Sequence, residues 1–178
     1  VAKKLHAPLD LILVRKLGAP GHEELAIGAI VDGAAPTTIL HKDIIGELAV
    51  PQEYIDEVSA GALREIERRR DLYMKDHPPV AAADKTVIIV DDGLATGATM
   101  EAAASAMHKA KAKRVIVAVP VGSHEAVENL KRVADDVICL NTPTPFWSVG
   151  GRARLAGVPT AMSRKAKFTF LRIATCRA

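Results

Sequence analysis

Apolar residues along the chain follow two spacings, one short and alternating, the other helical. Residues 9–15 (LDLILVR) form a brief branched apolar run, which predicts a buried strand. Lys16–Glu24 (KLGAPGHEE) carries two glycines and a proline and reads as a loop. AIGAIV (26–31) and TTIL (37–40) are strand candidates separated by Asp32-Gly33, a turn pair that would let them form a hairpin. After Pro51 the spacing lengthens. Tyr54, Ile55, Val58, Ala62, Ile66 and Tyr73 recur at helical intervals, and Pro78-Pro79 ends the element. Arg68, Arg69 and Arg70 within it read as a solvated face.

The second half has a steadier rhythm. TVIIVD (86–91) predicts a strand, Gly93–Gly97 a loop, and Thr99–Lys111 a helix with Met100, Ala103, Ala104 and Met107 on one side. RVIVAV (114–119) is a further strand. Ser123 can cap a helix with Val127, Leu130 and Val133 on its apolar side, and DVICL (136–140) returns to strand. Strand–helix–strand–helix–strand at this spacing predicts an α/β fold, parallel strands with right-handed crossovers, and 178 residues suit one such domain. In sheets of this kind ligands bind at the carboxyl ends of the strands, where residues 91–99 fall.

The chemistry sits in that loop, DDGLATGAT. Gly93 and Gly97 allow backbone angles closed to other residues and let a ligand come close. Amides at a helix start, with the hydroxyls of Thr96 and Thr99, suit a phosphate monoester. Asp91 and Asp92 would repel that phosphate. Two adjacent carboxylates do suit vicinal hydroxyls, with or without a divalent cation. Together the two halves describe a ribose 5-phosphate. The pattern GxxxxGK[ST] is excluded because Gly93 and Gly97 are too close and Ala98 stands where lysine is needed; GxGxxG is absent. A phospho-acceptor receiver domain would want a further Asp after the next strand, and RVIVAVPVG has none.

VIIVDDGLATGAT resembles the phosphoribosyl pyrophosphate (PRPP) signature of type I phosphoribosyltransferases, and the resemblance covers about residues 1–149. It implies a three-layer sandwich around a central, mainly parallel sheet. It also implies that Asp91 and Asp92 bind the ribose hydroxyls and organise Mg²⁺. The backbone from Leu94 to Ala98 (Leu94, Ala95, Thr96, Gly97, Ala98), with the Thr96 and Thr99 hydroxyls, would hold the 5-phosphate, and Gly93 belongs to the same PRPP-binding loop. Arg15 and Lys16 are similar to the Arg-Lys pair opening the catalytic loop of adenine-type members and would face the pyrophosphate. The implied reaction is displacement of pyrophosphate by a purine- or pyrimidine-type base, in a chain that could act as a homodimer. Ala95 replaces the acidic residue of 6-oxopurine members. The upstream pyrophosphate loop of such enzymes does not appear, which keeps a non-catalytic regulator binding a phosphoribosyl ligand as the alternative.

Charge changes the picture only at the end of the chain. The net charge is +3, yet residues 150–178 hold seven basic residues (Arg152, Arg154, Arg164, Lys165, Lys167, Arg172, Arg177) and no acidic one, leaving 17 basic against 21 acidic before them. The body, net −4, therefore has no electrostatic footprint for nucleic acid. The expected division is a domain over 1–149 and a basic tail over 150–178, in which FTFLRIA is the main strand signal. The abrupt reversal of composition suggests a shifted reading frame or altered terminus; a tail contacting nucleic acid or anionic lipid is the alternative. No apolar run is long enough to span a bilayer, the start is not a secretory signal, and Cys139 and Cys176 read as free thiols, so the expected location is cytoplasmic. His22, His41, His77, His108 and His124 show no metal-ligand spacing, and His22 falls in the expected catalytic loop. Phe146 and Trp147, after the last regular strand, could stack on a flat base.

Overall fold

The computed structural model of the chain describes residues 1–33, 36–74, 79–144 and 169–176. The first half holds helix α1 (Ala2–Leu5), strands β1 (Leu9–Ala19), β2 (His22–Val31) and β3 (Thr37–Leu40), and helices α2 (Lys42–Glu47) and α3 (Gln52–Met74). The second half runs β4 (Thr86–Val90), α4 (Ala98–Lys109), β5 (Arg114–Val119), α5 (His124–Leu130), β6 (Asp136–Cys139) and β7 (Thr169–Cys176). Phe146, Trp147 and His77 lie outside the described residues.

The strands form one sheet in the order β3-β2-β1-β7-β4-β5-β6. β4, β5 and β6 pair in parallel, through Val87↔Val115 and Val117↔Val137. β2 is antiparallel to β1 and β3, and β7 is antiparallel to β1 and β4. Taken through these pairings, β1, β3, β4, β5 and β6 point one way and β2 and β7 the other; the sheet is mixed, with its parallel pairings in the β4-β5-β6 half. Thr169–Cys176, within the basic C-terminal stretch, form β7 between β1 and β4.

Alternation along the strands builds two cores. On one face Ile12 and Val14 of β1, Val87 and Ile89 of β4, and Val115, Val117 and Val119 of β5 meet Met100, Ala103, Ala104 and Met107 of α4 and Leu130 of α5. On the other, Leu13, Leu17, Ile27 and Ile30 meet Val50, Ile55, Ala62 and Ile66 under α3. Helices therefore cover both faces, giving three layers. The alanines of α4 have little side chain to hold it off the sheet, and the core is almost wholly aliphatic, as a chain with 3% aromatic residues requires. Among the described residues no helix is long and apolar enough to cross a membrane.

Two expectations need correction. Lys16–Glu24 is not a loop: β1 continues to Ala19 and β2 starts at His22, because cross-strand pairing overrides the local turn residues. The strands bend through irregular register at Gly18 and turn at Gly21, whose φ of 72° suits glycine. Arg70, expected on a solvated face, is turned to the sheet. Its guanidinium bonds Asp32 and lies 3.7 Å from Asp10. Both carboxylates are buried. Asp32 also accepts the Leu13 N–H at 2.7 Å, and Asp10 accepts those of Leu11 and Val80, each at 2.8 Å. The triad fastens the end of α3 to the start of β1. Its neighbours Arg68 and Arg69 do pair locally, with Glu65.

Removing Arg70 would leave two buried acids with no countercharge. Arg70→Ala should destabilise the fold by about 3–5 kcal/mol, while Arg68→Ala, at an exposed pair, should change stability little. Urea denaturation of the two variants distinguishes these outcomes.

Candidate functional site

The chain leaves β4 at Val90 and reaches α4 at Ala98 through the acidic-glycine loop, at the carboxyl end of a parallel strand as expected. What holds this loop is Leu94. Its side chain is buried in the α4 core, and its backbone forms a one-residue parallel bridge to Gly122. The Leu94 N–H donates to Val121 O at 2.9 Å, and the Ser123 N–H donates to Leu94 O at 3.0 Å. Ser123 fastens it a third time, donating its hydroxyl to Ala95 O at 2.8 Å while accepting the Ala126 N–H as the cap of α5. Gly122 makes room: a Cβ there would lie 3.1 Å from Leu94 Cβ and 3.4 Å from Cys139 Sγ. The sequence pattern gives Leu94 a share in holding phosphate through its N–H. That donor is bonded to Val121 O, so Leu94 anchors the loop.

Beyond the anchor the backbone donors are open. Among the described residues, the N–H groups of Ala95, Thr96, Gly97, Ala98, Thr99 and Met100 find no acceptor; the next donor, Glu101 N–H, returns to Gly97 O at 2.9 Å. Gly97 caps α4 without a side-chain bond and has φ 82°, the left-handed conformation that the loop needs to turn into the helix. Gly93 does not share it, since the described glycines with positive φ are Gly21, Gly33 and Gly97. Six successive unused amides at the start of a three-turn helix form a concavity that attracts an anion. Thr96 is exposed and Thr99 half-buried in the first turn of α4, and both can add hydroxyl donors.

The two acids stand just before this concavity. Asp91 Oδ1 accepts the Asp92 N–H at 2.8 Å. Burial, reinforced by the charge of Asp92, pushes Asp91 up to about 7, although the Asp92 N–H pulls it down. A half-buried acid with one internal donor is short of partners, which suits it to accept from ligand hydroxyls. Among the described residues no group of three or more His, Cys, Asp or Glu is placed to hold a metal ion. Asp91 and Asp92 still fit Mg²⁺ in the manner common for that ion, with one or two carboxylates from protein and the remaining oxygens from phosphates and water.

Strand alternation separates the two basic candidates. Ile12 and Val14 face α4, so Lys16 shares that face, and it lines a cavity with Ala98, Thr99 and Glu101. Arg15 takes the α3 face with Leu13 and Leu17. Lys16 is thus brought to the loop's helix and Arg15 is not. His22 opens β2, exposed at the hairpin. Sequence reasoning missed His41 and Glu101, which join Lys16 in that cavity. Glu101 lies two residues beyond the motif and His41 just beyond β3, and only the pairing of β3 with β2 brings His41 near α4.

Two outcomes test this geometry. Asp91 holds its proton about three pH units higher when folded than its ordinary value of 3.8, so the folded state binds more protons between pH 4 and 7. The contribution of Asp91 to stability is then greatest below pH 4 and falls as pH rises to 7, by on the order of 2–4 kcal/mol. Asp91→Asn should flatten this slope and be the more stable form at pH 8 by urea denaturation. Gly97→Ala forces a left-handed alanine, at about 1–2 kcal/mol, and sets its Cβ 3.3 Å from Ala126 Cβ. It should lower the melting temperature by several degrees and weaken binding of inorganic phosphate.

Comparison with known proteins bears on this arrangement. The family model described as "Phosphoribosyl transferase domain" matches residues 1–152, a span that ends before β7. Two proteins of Mycobacterium tuberculosis, from strains CDC 1551 and H37Rv and each named "putative phosphoribosyl transferase", are 39% identical over 150 residues, 84% of this chain. The alignment covers 33% of their length, so the chain spans about a third of these curated relatives. A ribose-phosphate pyrophosphokinase of Thermococcus kodakarensis is 40% identical over 73 residues, 39% of this chain and 26% of its own. The crystal structure of TT1426 from Thermus thermophilus matches with a TM-score of 0.72 and 40% identity, over 84% of this chain and 70% of that one. With the family model spanning most of its length and the strand–loop–helix site at its centre, the chain belongs to the phosphoribosyl transferase domain family.

Proposed function

We propose that this domain binds PRPP together with Mg²⁺ and transfers the phosphoribosyl group to a nitrogenous base, releasing pyrophosphate. The observation that carries this reading is the pairing of six unused amides, Ala95 to Met100, with two adjacent acids at the same strand end. The amides and the hydroxyls of Thr96 and Thr99 hold the 5-phosphate. Asp91 and Asp92 accept the two ribose hydroxyls, which fixes the sugar ring over the end of β4. With both ends of the sugar held, its anomeric carbon is presented in one orientation, and this positioning is the main contribution of these residues. A ring nitrogen of the base forms the new bond to that carbon as the bond to pyrophosphate oxygen breaks. Pyrophosphate leaves with the electron pair, and the ring nitrogen releases its proton to water. Lys16, on the α4 face, offers positive charge for the departing group. Mg²⁺, where bound, neutralises charge on the pyrophosphate. The free thiol of Cys139 fits a reducing cytoplasmic setting.

Calorimetry with PRPP and Mg²⁺ tests binding, and pyrophosphate release with a panel of bases tests transfer. The double variant Asp91→Asn, Asp92→Asn should weaken PRPP at least about tenfold while leaving binding of inorganic phosphate within twofold. Equal PRPP affinity in wild type and variant would overturn the assignment of the acids. Binding without pyrophosphate release would favour a regulator that senses phosphoribosyl ligands.

A further inference from the structure

A cavity of about 100 Å³ opens beside the phosphate loop. One wall is the sheet, at Ala26, Gly28 and Ala29 of β2 and Ile39 of β3; the other is α4, at Ala98 and Ala102. Small residues on both walls make a narrow slot. Gly28 has no alternative there, since a Cβ would lie 2.4 Å from Ile39 O. The rim is ionisable, with Lys16 from β1, His41 after β3 and Glu101 from α4. Among the described residues none of these three side chains makes a hydrogen bond or ion pair. Glu101 is half-buried, with His41 and Arg132 as the charges that act on it. Its Oε1 lies 3.4 Å from where a Gly97 Cβ would stand, which sets the carboxylate next to the phosphate loop.

We propose that this slot receives the acceptor heterocycle and that Glu101 is its specificity-determining residue, selecting an uncharged, amino-substituted ring; this rests on the reading of the loop as a phosphoribosyl cradle. A flat ring fills a slot with small-residue walls. A carboxylate at its mouth accepts hydrogen bonds from an exocyclic amine or a ring N–H and repels a ring that bears its own carboxylate. His41 and Glu101 are half-buried with no side-chain hydrogen bond or ion pair among the described residues, which a ligand with both donors and acceptors would supply, and Lys16 stands exposed at the rim. His41 serves a ring nitrogen or carbonyl oxygen, while Lys16 at the rim is left to the departing pyrophosphate. Thr99 and Ala98 belong to both the slot and the loop, so one ligand can engage phosphate donors and slot together.

Saturation-transfer NMR with adenine and with orotate on the full chain tests the proposal directly. Adenine should bind and orotate should not. Glu101→Gln, close in shape to the native residue, should weaken adenine about tenfold and raise its KM in the transfer reaction, with the affinity for PRPP unchanged within twofold. Orotate binding as well as adenine, or adenine binding unchanged in both Glu101→Gln and Glu101→Ala, would overturn it. Absence of PRPP binding beside intact adenine binding would instead overturn the cradle reading and leave the heterocycle slot standing.

Discussion

The site depends on one anchoring arrangement, the bridge that holds Leu94 between Val121 and Ser123. A loop of glycines, alanines and threonines has little of its own to fix it. Burying one leucine, worth about 1.5–3 kcal/mol, and adding three hydrogen bonds to the next crossover gives it a fixed point next to its reactive stretch. With Leu94 pinned, the chain turns through the left-handed Gly97 into α4, and the donors from Ala95 to Met100 remain without internal acceptors. The adjacent crossover therefore acts twice, since Ser123 caps α5 and ties down the loop with one hydroxyl.

The rest of the fold supplies rigidity around that point. The small residues of α4 let it lie close to the sheet, and the parallel run β4-β5-β6 fixes the loop and its anchor on one edge. On the opposite side of the sheet the buried Asp10–Arg70–Asp32 triad secures the long helix α3. The site itself is left under-satisfied: among the described residues the amides are unused, the half-buried Asp91, raised to about 7, accepts only the Asp92 N–H, and the Glu101 carboxylate makes no hydrogen bond or ion pair. Such groups would gain hydrogen-bond partners from a ligand.

Much of this was legible in the sequence because it is local. The period-two and helical spacings gave β4, α4, β5, α5 and β6 to within a few residues, and Ser123 was identifiable as a cap from its place before an apolar stripe. The paired acids and T-G-x-T loop pointed to ribose phosphate through residue chemistry alone. What was not legible depends on tertiary pairing. The hairpin stem through Lys16–Ala19 is strand because β2 lies beside it, in spite of its glycine. Arg70 faces inward because Asp10 and Asp32, distant in sequence, converge on it. β7 carries a visible strand pattern, but nothing local says that it enters between β1 and β4. The commitment of the Leu94 amide depends on Val121, and the meeting of His41 with Glu101 depends on the β2–β3 pairing.

The central claim is that the amides from Ala95 to Met100 form the phosphate cradle. Two-dimensional ¹H–¹⁵N NMR of the full chain during titration with ribose 5-phosphate tests it most directly. The account predicts large downfield amide proton shifts for residues within 95–100 and little change at Leu94, whose N–H is already bonded. Shifts absent from that stretch, or centred elsewhere on the protein, would contradict it.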